Sequence, residues 1–214
     1  MRDFPIFTTN FGVSSLILKE IPYKRVAYIR IRDVQRAFFQ EHLEECTKFC
    51  RLAGADRIFA TGSEKLNSFP VYTSVLEMRG DAWVDKNKLC NLFPVTGQTV
   101  NRWRSIANER LAGVDNSATL ESRDEKDILS SGGAYFIHND GELLGIGWMK
   151  DTELLLVAAV KPGTGEQVMH TLMSLVEGAS IRLEVASTNA KAIRLYEKLG
   201  FLKTAEITVW YEVT

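Results

Sequence analysis

The chain has 214 residues, 45% hydrophobic and 25% charged, the balance of an ordinary globular protein rather than of a disordered or membrane chain, and length alone allows one domain or one and a half. Its 26 basic and 27 acidic residues are interleaved to a formal net charge of −1, which leaves no basic stripe for a phosphate backbone, so no nucleic-acid partner is expected. No apolar run approaches the roughly 20 residues that span a bilayer, and the start Met1-Arg2-Asp3-Phe4-Pro5 has no secretory pattern, so a cytoplasmic protein with no membrane partner is expected.

From the N-terminus, Val26 to Arg32 alternates in character and is rich in β-branched and aromatic residues, which predicts a strand. Phe39, Leu43, Cys46 and Cys50 recur at helical spacing, and Gly54 stands where a helix C-terminus favours a left-handed residue. With Cys90 the cysteines are odd in number, which reads as free thiols rather than a disulfide framework. Cys46 and Cys50 lack a matching His or Cys pair, so no metal is expected. Ile58 to Thr61 and Tyr72 to Met78 predict two strands separated by a polar stretch with Gly62 and Pro70. Residues 1–80 thus read as an N-terminal β-α-β-β unit. Charges from Arg79 to Lys88 mark a boundary, and residues 81–214 form the second unit.

There, Leu89 to Val95 predicts a strand broken by Pro94. Val100, Trp103, Ile106, Ala107 and Leu111 predict a helix, and Asp124 to Leu129 a shorter one. Ala134 to Ile137 and Leu143 to Trp148 form a hairpin around Asn139-Asp140-Gly141, residues that tolerate the positive φ of tight turns. Leu154 to Val160 is an unbroken apolar run, expected as a central strand buried on both faces. A helix with Val168, Met169, Leu172 and Met173 apolar follows and is expected to close at Gly178. Ile181 to Val185 is a strand. Asn189 caps a helix with Ala192, Leu195, Tyr196 and Leu199 on one side, Gly200 ends it, and Phe201 to Tyr211 is the last strand. Strands alternating with helices define an α/β or α+β sheet protein.

Asn189, Ala192, Leu195, Tyr196, Lys198, Gly200 and Phe201 match every marked position of N-x-x-A-x-x-L-Y-x-K-x-G-F. This resembles the second conserved motif of the GNAT (GCN5-related) N-acetyltransferase superfamily. Helix punctuation alone accounts for an Asn cap and a terminal Gly but does not require Tyr196. The resemblance covers residues 89–214, because a buried strand, a Gly-x-Gly loop and a helix precede the motif in the family's order. It implies a GNAT-like mixed, largely antiparallel central sheet flanked by helices. It also implies an N-acyltransferase that moves an acetyl group from acetyl-CoA to a primary amine by direct attack in a ternary complex. On this reading residues 1–80 are a reduced copy of the GNAT half-fold, without a Gly-x-Gly loop of their own, that packs or lends surface to the acceptor site rather than binding coenzyme.

By the same resemblance, the edge at Ala158, Ala159 and Val160 pairs with the pantetheine arm, and Gly163, Thr164, Gly165 and Glu166 hold the diphosphate at a helix N-terminus. Unpaired N–H groups and the helix dipole suit that task. The loop departs from the family by being several residues shorter, and Glu166 in the first turn is expected to repel a phosphate. The other reading of the Gly-x-Gly is a tight strand-to-helix turn. The resemblance implies that Tyr196 lies near the coenzyme sulfur and protonates the leaving thiolate, a role its phenol suits at neutral pH; read without it, Tyr196 is a packed aromatic. Asn189 most simply caps its helix, and the resemblance leaves direct coenzyme contact open to it. A backbone N–H of the central strand would hold the oxyanion. Glu153 and Glu184 are candidate bases without a supporting motif, and His138 and His170 read as structural. The alternative to an enzyme is a non-catalytic GNAT-fold binding or regulatory module. The acceptor, a small-molecule or peptide amine, is not identified, and a homodimer is as open as a monomer.

Overall fold

The computed structural model describes residues 5–213. The chain divides into two compact units, Met1–Ser74 with Thr208–Thr214, and Val75–Ile207.

The first unit contains β1 (Ile6–Thr8), β2 (Gly12–Ile17), one helical turn α1 (Ile21–Lys24), β3 (Val26–Val34), α2 (Phe39–Leu52), β4 (Arg57–Thr61) and the start of β5 (Val71–Asp81). β1, β2 and β3 pair antiparallel in succession. α2 then crosses over to deliver β4 parallel to β3, in register from Val26↔Arg57 to Arg30↔Thr61. Tyr211 and Glu212 near the end of the chain pair with Ala60 and Phe59. Leu16, Ile29, Ile31, Leu43, Cys46, Cys50, Ile58 and Leu66 form the core.

β1 and β2 lie outside the sequence expectation, because the alternation that signals a strand is hidden by serines. Ser14 and Ser15 are 0% and 1% exposed. Their hydroxyls are satisfied across the structure, Ser14 by His42 Nε2 at 2.8 Å and Ser15 by Arg32 Nε at 2.6 Å. A buried hydroxyl is tolerated only with such a partner, and no local sequence pattern reports one.

The second unit takes the rest of β5, then β6 (Asn91–Pro94), α3 (Val100–Leu111), α4 (Glu125–Ser131), β7 (Ala134–Asn139), β8 (Glu142–Lys150), β9 (Glu153–Ala159), α5 (Gly165–Met173), β10 (Ser180–Ala186), α6 (Ala190–Lys198) and the first part of β11 (Leu202–Glu212). Within it the strand order is β11-β5-β10-β9-β8-β7-β6, and β9–β10 is a parallel neighbour pair joined by α5. α5 and α6 pack on one core with Val168, Met169, Leu172, Tyr196 and Phe201. α3 and α4 pack on another with Val100, Trp103, Ile128, Phe136, Ile146 and Ala158. α5 can sit close because β8 has glycines beneath it. A Cβ on Gly147 would lie 2.4 Å from Leu172 Cδ1, and one on Gly145 would lie 2.6 Å from Val168 Cγ2.

Three expectations change. Leu154 to Val160 is not buried on both faces: Leu154 and Ala158 are, but Leu155 is 41% exposed, for a reason given below. α5 stops at Met173 and tightens into a 3-10 turn over Ser174–Val176 rather than reaching Gly178 as one helix. β5 runs on through Arg79-Gly80-Asp81, which pair with Arg182, Ile181 and Ser180.

Candidate functional site

The parallel ladder between β9 and β10 is short. Only Arg182↔Glu153 and Leu183↔Leu154 are in register, whereas β10 stays paired to β5 as far as Ala186↔Val75 and β9 to β8 as far as Ala159↔Gly145. Beyond Leu154 and Leu183 the two strands part, and the edge of β9 that carries Ala158 and Ala159 has no ladder partner on that side. In the first unit the β3–β4 pair has no such early opening.

At the opening β9 bulges. Trp148 pairs with Leu156 and Met149 with Leu154, so Leu155 is the extra residue. A bulge leaves a residue out of the ladder and re-aims the main chain beside it, which is why Leu155 reaches solvent. Nothing in the uninterrupted apolar run signals this.

After β9 the chain turns immediately. The N–H groups of Val160 and Lys161 bond Leu144 O at 2.8 and 3.2 Å, and the Thr164 hydroxyl lies 3.1 Å from the same oxygen and 2.8 Å from Lys161 O. Gly163 has φ +86° with nothing within 4 Å of a Cβ position, so backbone there is open to close approach. The first bond of α5 runs from Val168 N–H to Thr164 O at 3.0 Å. The N–H groups of Gly165, Glu166 and Gln167 ahead of it have no helical acceptor and form the positive end of the helix dipole.

Glu166 does not present a free charge to this end, contrary to the repulsion expected of it. Lys88 Nζ donates to its Oε2 at 2.7 Å and Lys198 Nζ donates to its Oε1. These two lysines hold the carboxyl at about 2, well below the usual range. Lys198 comes from the last turn of α6. Lys88 comes from a strap before β6 that α5 fastens with buried polar side chains: Asp85 N–H donates to His170 Nδ1 at 3.3 Å and Cys90 N–H to Thr171 Oγ1 at 3.0 Å. Lys88 had no sequence signal, since residues 88 and 166 are far apart along the chain.

α6 abuts the same end of α5, for a Cβ on Gly165 would lie 3.1 Å from Leu195 Cδ2. Asn189 Oδ1 accepts from Ala192 N–H at 3.2 Å, the helix cap expected of it. Tyr196 is 7% exposed with its ring 5.9 Å from that of Phe201. Its hydroxyl makes no hydrogen bond among the described residues, and no fully enclosed polar side-chain atom there lacks a partner, so the hydroxyl keeps an opening to solvent. Burial pushes its pKa to about 12, and the phenol stays neutral.

Glu153 and Glu184 are both engaged by the guanidinium of Arg182, so neither is a free base. His138 stacks edge-on against Phe93 at 5.2 Å, and His170 is spent on the strap. On the α3–α4 side, Trp103 Nε1 donates to Tyr135 O at 3.0 Å and Arg104 pairs with Glu125 at 2.8 Å, which fixes the two helices to each other and to β7. Among the described residues no group of three or more His, Cys, Asp or Glu could hold a metal ion, and no helix is long and apolar enough to cross a membrane. The cysteines there are free thiols.

No family model matches the chain, and no curated protein matches it significantly. Solved structures do resemble it. A GCN5-related N-acetyltransferase from Kribbella flavida aligns with TM-score 0.61 at 14% identity, over 99% of this chain and 90% of that one. A functionally unknown conserved protein from Staphylococcus epidermidis ATCC 12228 aligns with TM-score 0.58 at 12% identity, over 98% and 93%. A GCN5-related N-acetyltransferase from Sphaerobacter thermophilus aligns with TM-score 0.52 at 11% identity, over 94% and 76%. The chain therefore has the GCN5-related N-acetyltransferase fold, a mixed, largely antiparallel sheet flanked by helices.

Proposed function

We propose that this protein is an acyl-CoA-dependent N-acyltransferase that moves an acetyl group to a primary amine of a small molecule or peptide. The observation that carries the reading is the early parting of β9 and β10, which leaves main-chain donors and acceptors of β9 without a ladder partner, in a unit whose core also holds a buried phenol, Tyr196, that lacks a protein partner. The residues fit such a ligand along its length. The open edge at Ala158 to Val160 suits an amide-bearing arm, Gly163 and the free N–H groups of α5 suit phosphates, and Tyr196 suits the sulfur end.

When bound, acetyl-CoA supplies a thioester carbonyl as acyl donor. A main-chain N–H of β9 left out of the ladder would donate to the oxygen that gains charge as the amine nitrogen adds. The Tyr196 hydroxyl, neutral and without a competing acceptor, gives its proton to the sulfur as the carbon–sulfur bond breaks. The amine proton leaves to solvent or to a group outside the Arg182 cluster.

Calorimetry with acetyl-CoA on the native chain and on Gly165→Glu tests the reading, since the added carboxylate would stand at the α5 N-terminus. Binding that is lost in the variant supports it and justifies an amine screen. No binding to the native chain would favour a non-catalytic module built on the same fold.

A further inference from the structure

The short turn from β9 into α5 offers a phosphate few main-chain groups, and the structure brings ammonium donors there by another route. Lys88 and Lys198 arrive from opposite directions in sequence, one on the strap and one at the end of α6, and meet at Glu166 in the first turn of α5. Two ammonium groups share that carboxylate beside the free N–H groups of Gly165, Glu166 and Gln167, and Asp85 Oδ2 stands 4.0 Å from Lys88 Nζ as a second, longer ion-pair partner, so the cluster as a whole is balanced in charge. Each ammonium has three N–H donors and spends one on Glu166, so each keeps donors for a further acceptor.

The arrangement is held from behind. His170 and Thr171, 2% and 1% exposed, use their side chains to fasten the main chain of Asp85 and Cys90 on either side of Lys88. A surface ion pair needs no buried polar anchors, which cost desolvation and return it only by fixing a geometry. The other cation stands in the last turn of α6, the helix that also carries the nine-tenths buried Tyr196, whose hydroxyl has no protein partner. One helix thus carries both a cation that reaches the α5 end and a phenol whose hydroxyl has no protein partner and is open to solvent or a ligand.

We propose that Lys88 and Lys198, gathered by Glu166, bind the diphosphate of the coenzyme and replace contacts that the shortened loop does not make. The inference rests on the acyl-CoA reading above. Glu166 is here an organiser of cations rather than a repellent carboxylate, and His170 and Thr171 are positioning residues for Lys88.

Calorimetry on the full chain with coenzyme A, 3′-dephospho-coenzyme A and pantetheine, for the native protein, Lys88→Met and Lys198→Met, tests it. Each variant is expected to bind coenzyme A and its dephospho form about 10-fold more weakly, as loss of a charge-assisted phosphate contact would give, with pantetheine unchanged. Variants that bind coenzyme A like the native protein would overturn the proposal and leave the acyltransferase reading standing. A loss seen with coenzyme A but not with the dephospho form would also overturn it, by moving the lysines to the 3′-phosphate. Failure of the native protein to bind any of the three would remove the acyl-CoA reading and this inference together.

Discussion

Arg182 Nε donates to Glu77 Oε2 at 2.6 Å across the antiparallel β5–β10 pair, and the same guanidinium engages Glu153 and Glu184. Arg182, then Arg79 and Thr204, hold the Glu77 carboxyl down from 4.5 to about 2. Because the folded value lies below the unfolded one, this stabilisation is complete above about pH 4.5 and is lost as pH falls toward 2. Urea unfolding measured across that window is expected to show falling stability, with a shallower slope in Glu77→Gln. An unchanged slope would mean the cluster is solvated in the folded protein.

Tyr196→Phe separates chemistry from packing. The hydroxyl has no protein partner, so its removal is expected to leave the unfolding midpoint unchanged or slightly raised, since no intramolecular hydrogen bond is broken. Acyl transfer from acetyl-CoA is expected to slow by about 100-fold, with coenzyme binding retained. A variant that unfolds readily would show that the protein itself holds the hydroxyl.

Gly147→Ala tests how tightly α5 lies on β8. The added methyl would meet Leu172 Cδ1, Cδ2 and Cγ at 2.4 to 2.9 Å, so the helix must lift or Leu172 must leave its rotamer. A cost of about 1 to 3 kcal/mol in chemical denaturation is expected, typical of overpacking a dense core. Gly113→Ala, where nothing lies within 4 Å, is expected to cost no such amount.

His42 gives the first unit a pH dependence of its own. It is 0% exposed, with Nδ1 at 2.8 Å from Thr9 Oγ1 and Nε2 at 2.8 Å from Ser14 Oγ. Burial lowers its pKa from the ordinary 6.5. The unfolded chain therefore takes up the proton first, and stability is expected to fall as pH drops below about 6.5, toward the lower folded value. Urea titrations at stepped pH check this, and His42→Gln is expected to lose that dependence even if less stable throughout.

The extent to which the sequence was legible follows the range of the interactions involved. α2 and α6 were readable because apolar spacing, a cap at Asn189 and terminal Gly54 and Gly200 all lie within a few residues of what they control. The hairpin at Asp140 and Gly141 was readable for the same reason, since both take positive φ, 49° and 79°. β1 and β2 were not, because Ser14 is made compatible with burial by His42 on α2.

For the candidate site the division is similar. The Asn189 to Phe201 pattern fixed a capped helix with Tyr196 facing inward, a property of one segment and its 3.6-residue period. Tertiary structure alone decided that β9 and β10 part after two register pairs and that Leu155 bulges. It alone also decided that Lys88 meets Glu166, turning a carboxylate expected to repel a phosphate into the centre of an ion-pair cluster. Charge and strand pairing act through space between residues that the chain separates widely, and periodicity carries no record of which distant side chains arrive.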